Sequence, residues 1–148
     1  MVDARRPDPW LGLAVAGAAA LRLVGLGSQS LWYDEWLTAE ATSGGLRDLA
    51  HHVATREGIT PPYFVVMWAW VRIVGDGDIA LRVPSVIVGV ATVPVAYAIA
   101  RALGQRRTVA RVAAALVAVN PMLVWYSQEA RPYSLLAFLG ALSVLACV

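Results

Sequence analysis

Apolar and polar positions alternate along this chain in long blocks. Trp10–Leu26 is nearly continuous apolar sequence, and extended into Gly27 and Ser28 it approaches the roughly 20 residues that cross a bilayer. Ala80–Leu103 and Val109–Tyr126 are two further runs of that kind, and Ser134–Val148 opens a fourth. At about 15 residues this last run is too short to span, so the chain is expected to be the front part of a longer protein. The prediction is an all-α, multi-pass membrane fold with crossings near residues 10–28, 80–103, 109–126 and 132–148 and an outer loop over 29–79. The whole chain, 1–148, then forms one transmembrane unit.

Shorter patterns fill the loop. Ser30–Thr42 can form a short helix, with Ser30 or Asp34 as its cap and Gly44-Gly45 ending it. Leu46, Leu49 and Val53 recur at helical spacing, the pattern of a small amphipathic helix on a membrane surface. Pro61-Pro62 can start a helix reaching Val74. At 1.5 Å per residue it measures about 21 Å, short of the ~30 Å hydrocarbon core. Pro94 predicts a kink inside the second crossing, and Asn120-Pro121 a break near the outer end of the third.

Arginine placement orients these elements. Arg5 and Arg6 precede the first run, and Arg101, Arg106, Arg107 and Arg111 cluster between the second and third. Basic residues favour the cytoplasmic side. Both groups lie inside if Pro61–Val74 stays in the interface, which puts the N-terminus in the cytoplasm and the Asp34 loop outside the cell membrane. Arg22, near the outer end of the first run, can snorkel outward. An uncleaved signal anchor is the expectation for that run. A cleaved signal peptide is the rival, because Ala14–Ala20 offers small residues.

Composition agrees. Of 148 residues, 59% are hydrophobic and 15% charged, against about 25% charged in soluble domains. The net charge of +2 is too small and scattered for nucleic acid. The single cysteine, Cys147, rules out a disulfide framework. No cofactor is evident, and lone carboxylates make no visible cage for a divalent cation.

The chemistry concentrates in Leu31-Trp-Tyr-Asp-Glu35, where Asp34 and Glu35 follow an apolar run and stand among Trp32, Tyr33 and Trp36. Carboxylates beside a span are costly unless solvated or used. A solvated helix start, where acids meet the helix dipole, is the plain alternative. Glu129 and Arg131 can likewise form no more than a local surface pair. Trp68 and Trp70 read as interfacial anchors before sugar platforms. His51 and His52 read as solvated.

Taken together, Leu31–Glu35, Pro61-Pro62-Tyr63, Gly75-Asp-Gly-Asp-Ile-Ala-Leu-Arg-Val-Pro84 and Asn120-Pro-Met-Leu-Val-Trp-Tyr-Ser-Gln-Glu-Ala-Arg-Pro-Tyr-Ser134 resemble the GT-C superfamily of membrane glycosyltransferases. The branch they look like holds the protein O-mannosyltransferases and aminoarabinose transferases, including dolichyl-phosphate-mannose-protein mannosyltransferase-like proteins. The resemblance implies transfer of a sugar from a polyprenyl-phosphate donor to a protein, lipid or glycan acceptor on the outer side of the membrane. It maps the family's essential Asp onto Asp34 as general base, with Glu35 positioning it or pairing with an Arg. Arg131 and Arg82 are the candidates to hold the donor phosphate, and Glu129 and Tyr133 complete the expected substrate contacts. Where the family often has His before the Pro-Pro pair, this chain has Thr60, and its second outer loop carries Glu129 where one branch has Asp. The alternatives are a non-catalytic membrane fragment or assembly partner of a longer transferase and, last, a transporter piece using Asp34 and Glu35 as an ion site.

Overall fold

A computed structural model describes residues 8–55 and 61–148. Arg5, Arg6 and Thr60, singled out above, lie outside the described residues. Every regular element among the described residues is an α-helix: α1 (Pro9–Leu23), α2 (Tyr33–Ser43), α3 (Leu46–Thr55), α4 (Pro61–Val74), α5 (Asp78–Ala102), α6 (Arg107–Val119), α7 (Pro121–Ser127) and α8 (Tyr133–Cys147). The all-helical reading holds.

Helix α5 is the axis, packing against α1, α6, α7 and α8. With 25 residues it is long and apolar enough to cross a membrane, and it continues through both Pro84 and Pro94. Helices α6 and α7 meet that test only as a pair, bent by 54°. The bend falls where Asn120-Pro121 predicts it: the Asn120 side chain accepts from the Leu123 N–H at 3.0 Å and starts α7, with Pro121 in its first turn. Helices α1 and α8 are apolar but have 15 residues each, about 22 Å by helical rise. The first apolar run is thus longer than its helix. After Leu23 the chain turns through Val24–Ser28, with Gly25 at φ 75°, a left-handed conformation that glycine adopts without strain.

Small side chains let the bundle close. Ala110, Ala114 and Ala118 recur every fourth residue on α6 and are buried, two of them in a cluster with Ala18 of α1 and Val93 of α5. Such seams bring helix backbones close enough for dense packing. The opposite face of α6 exposes Val109, Val112, Leu116 and Val119, a stripe suited to lipid.

Arg22 does not snorkel. It is fully buried, and it donates to Ala18 O (3.1 Å), Ala118 O (3.0 Å), Val117 O (3.5 Å) and Ser127 Oγ (3.1 Å). The reason lies at the α6–α7 break. Pro121 has no N–H to offer the Val117 carbonyl, and the last carbonyls of any helix lack internal partners. A guanidinium supplies several donors and a positive charge where the helix dipole is negative. At the other end of the bundle Asp8 caps α1 and gathers α5 and α6. It accepts from the Trp10 N–H (3.2 Å), the Tyr97 hydroxyl (3.1 Å) and Arg111 (2.9 and 3.0 Å). The Arg111 hydrogen bond outweighs burial and holds the Asp8 carboxyl below the usual carboxylate range.

Helices α2, α3 and α4 form a second layer over one end of the bundle. Tyr63, Phe64, Met67 and Val71 line one face of α4 and pack with Ala41 of α2, Leu49 of α3, Leu81 of α5 and Ala130. Helix α3 forms with the expected apolar spacing, but Leu49 is buried and Val53 half-buried against protein where a membrane surface was expected, and Leu46 is exposed. Trp68 and Trp70 also have structural tasks: their indoles donate to Gly44 O (3.0 Å) and Ala80 O (2.8 Å). Arg72 stacks on Trp68 at 4.8 Å and donates to Thr42 O (3.1 Å) and Gly44 O, satisfying the C-terminus of α2.

Candidate functional site

One end of the bundle collects the end of α1, the starts of α2, α5 and α8, and the turn between α7 and α8. What joins them is Arg82. Its Nε and Nη2 meet Glu35 Oε1 and Oε2 at 2.8 and 2.6 Å, a bidentate pair, while Nη1 donates to Leu26 O (2.7 Å) and Gln29 O (3.0 Å). Nη2 also reaches Ser30 O at 3.4 Å. Glu35 Oε1 accepts the Ala130 N–H (2.9 Å), and Oε2 accepts the Trp32 N–H (3.4 Å), closing the first turn of α2 in place of the predicted Ser30 or Asp34 cap. Glu35 is 0% and Arg82 4% exposed. Burial pushes the Glu35 carboxyl up, but Arg82, the Ala130 N–H and the Trp32 N–H outweigh it and hold the group below the usual range.

This bears on the roles expected from sequence. Of the two for Glu35, pairing with an Arg is the one that is seen. Arg82, expected as a phosphate ligand, directs its donors to Glu35 and three backbone carbonyls, because the turn after α1 leaves those carbonyls without other partners nearby. Arg131 is half-buried, and its Nη1 donates to Asp34 O at 3.3 Å. Its own carbonyl accepts from Ser85 Oγ at 3.4 Å. Asp34, half-buried in the first turn of α2, also accepts at its carbonyl from Thr38 Oγ1 (3.5 Å). Tyr133 is 37% exposed and lies 4.7 Å from the Tyr126 ring.

A cavity of about 460 Å³ opens beside the ion pair, within the size range of small-molecule sites. Trp32, Glu35, Arg82, Trp125, Gln128 and Glu129 line it together with the turn after α1; Asp34, Arg131 and Tyr133 are not in its wall. Glu129 is 8% exposed, and its Oε1 accepts the indole N–H of Trp125, four residues back in α7, at 2.5 Å. Burial raises the Glu129 carboxyl, helped by the negative charges of Glu35 and Asp34 and opposed by the Trp125 hydrogen bond and the Arg131 charge. The two cavity carboxyls are thus driven in opposite directions.

Sequence reasoning missed Trp125 and Gln128. The Gln128 amide donates to Val24 O (2.8 Å) and Arg22 O (3.2 Å), fixing the end of α1 against the α7–α8 turn. Trp125 lies in the last turn of α7 and Glu129 two residues past its end, so helical spacing alone did not pair them. His51 and His52 border a separate polar recess with Glu40 and Asp48. Among the described residues, no three His, Cys, Asp or Glu side chains form a group that could hold a metal ion.

Residues 59–148 match the family model described as dolichyl-phosphate-mannose-protein mannosyltransferase. The matched stretch contains Arg82, Trp125, Glu129, Arg131 and Tyr133, and begins after Asp34 and Glu35. No curated protein and no solved structure matches the chain.

Proposed function

The chain belongs to the dolichyl-phosphate-mannose-protein mannosyltransferase family, which is membrane-associated and transfers sugars, and from this premise we propose that it forms the outer-facing site of a polyprenyl-phosphate-dependent glycosyltransferase. The donor is a sugar on a polyprenyl phosphate, and the acceptor a protein, lipid or glycan on the outer side of the cell membrane. Its N-terminus is cytoplasmic and the chain is multi-pass, crossing near residues 10–28, 80–103, 109–126 and 132–148, with α2, α3 and α4 in the outer loop. The alternation of the helices supports this topology. Ser28, Asp78, Ser127 and Tyr133 flank the cavity end, whereas Asp8 and Arg111 meet at the opposite end.

The observation that carries the reading is the cavity itself. It stands where those helix ends converge, and indoles, carboxyls and an amide line it, groups suited to a sugar's ring faces and hydroxyls. In our reading Asp34 takes the proton from the acceptor as it attacks the anomeric carbon. Glu35 positions Asp34 by fixing the first turn of α2 through its bond to Arg82. Arg131 meets the donor phosphate with a planar guanidinium, and Glu129 and Tyr133 contact the substrate.

The test is release of dolichyl phosphate from dolichyl-phosphate-mannose by the protein reconstituted in liposomes. Asp34→Asn is expected to abolish release while membrane insertion stays normal. Unchanged turnover in Asp34→Asn refutes the assignment of the base. Donor binding without turnover by the unaltered protein favours a non-catalytic partner of a longer transferase.

A further inference from the structure

The proposed reaction moves protons at two places: one leaves the acceptor, to Asp34, and one can reach the leaving group. When the acceptor oxygen attacks, the bond between the anomeric carbon and the phosphate oxygen breaks and its electron pair stays on that oxygen. Resting on the reading above, we propose that Glu129 is a second catalytic residue, a general acid whose carboxylic proton passes to the departing phosphate oxygen.

Three observations single it out. Glu129 lines the cavity and is 8% exposed, so its proton is shielded from water yet faces the space a donor would occupy. Its Oε1 is held by the Trp125 indole, which fixes the carboxyl's orientation and commits one oxygen as an acceptor. The other carboxyl of the cavity wall, Glu35, is bound by Arg82 on both oxygens and is unsuited to carry a proton. Asp34 lies outside the wall. The charged groups that face Glu129 are Glu35 and Asp34 from α2, Arg82 from α5 and Arg131 beside it in the turn. Burial first, and then the two carboxylates, favour its protonated form and together raise its pKa, whereas the Trp125 hydrogen bond and the guanidiniums oppose it. Carboxyls whose environments diverge in this way divide into acid and base roles.

The step balances without any further reagent. The acceptor's oxygen bonds to the anomeric carbon, its proton goes to Asp34, and the proton of Glu129 goes to the phosphate oxygen. The products are the glycoside and a singly charged polyprenyl phosphate. Loss of the Asp34 proton to solvent and regain of one by Glu129 restore the site.

The experiment is the pH profile of kcat/KM for dolichyl-phosphate-mannose in proteoliposomes. A general acid must be protonated, so the unaltered protein loses activity as pH rises through the Glu129 pKa. Glu129→Gln is expected to lose about 10²–10⁴-fold and to lack that basic limb; Glu129→Asp should keep the limb at a reduced rate. A basic limb that persists unchanged in Glu129→Gln overturns the proposal, and so does a Glu129→Gln rate equal to that of the unaltered protein. Absence of turnover by the unaltered protein overturns the transferase reading and this step together, which separates the two failures. Folding of each variant is read from Trp125: the Trp125→Phe difference in indole fluorescence should show a pH transition that Glu129→Gln removes while its melting stays cooperative. A transition that survives Glu129→Gln assigns the proton elsewhere and also overturns the proposal.

Discussion

Glu35→Gln is the sharpest test of how this end of the molecule is held together. The substitution keeps an acceptor for the Ala130 N–H but removes the negative charge facing Arg82, whose guanidinium is 4% exposed. Breaking a buried pair by removing one partner costs about 3–5 kcal/mol, because the remaining charge is left uncompensated. Arg82 retains the carbonyls of Leu26 and Gln29 at 2.7 and 3.0 Å, so the lower end, about 3 kcal/mol, is expected. That corresponds to a change of roughly 10²-fold in the folding equilibrium. Arg82→Met should cost more. It strands the Glu35 carboxylate and also leaves the Leu26 and Gln29 carbonyls without their donor, each worth about 1–3 kcal/mol when buried. The assay is unfolding by SDS in mixed micelles, followed by circular dichroism, for both single variants and the double variant. A coupling energy of about 2–3 kcal/mol between the two sites is expected. A coupling below about 0.5 kcal/mol refutes the reasoning, since it is the value of a solvent-screened surface pair.

Other outcomes follow from the same contacts. The folded pKa of Glu35 is depressed, so its stabilisation is present above the ordinary carboxyl value and is lost as pH falls through the folded pKa; thermal melts should show the Glu35→Gln penalty shrinking below about pH 4. Glu129 has the opposite sign. Its folded pKa is raised, so its contribution is present at acid pH and lost as pH rises through that value, and Glu129→Gln should melt higher than the unaltered protein at pH 8 and equal to it near pH 4. A Cβ at Gly89 would sit 2.1 Å from Ser127 Oγ and 2.9 Å from Ser127 Cβ. Gly89→Ala should therefore cost about 1–3 kcal/mol by overpacking in the same SDS assay, and an unchanged midpoint would show that α5 and α7 separate freely. A topology reporter fused after Gln105 should read cytoplasmic; an outside reading would put Pro61–Val74 across the membrane.

What could be read from the sequence was local. Asn120-Pro121 carries a cap and a missing donor in adjacent residues, so the break between α6 and α7 was legible without any tertiary contact. The same holds for Pro61 at the start of α4 and for the apolar spacing of α3, though not for the protein partners that Leu49 meets. Hydropathy overstated α1, because Val24 and Leu26 are as apolar as a helix interior although Gly25 turns the chain away. Partners distant in sequence were beyond reach. Glu35 and Arg82 are 47 positions apart, and nothing in either neighbourhood distinguishes an arginine that binds phosphate from one that locks a loop. Arg22 failed for the same reason: a cation near the end of an apolar run suggests escape to water until the bare carbonyls of another helix are placed beside it.

That arrangement around Arg22 also has a consequence in time. Its acceptors at Ala118 and Val117 are made 96 and 95 residues later. At about 5–20 residues per second, a nascent α1 waits roughly 5–20 s for them. During that interval, in the proposed topology, a 15-residue apolar helix whose guanidinium has only the Ala18 carbonyl of its own helix is a poor resident of the bilayer. Helix α1 leaves the ribosome before α6 and settles only after it, once the Arg22 contacts at the Asn120 bend have formed.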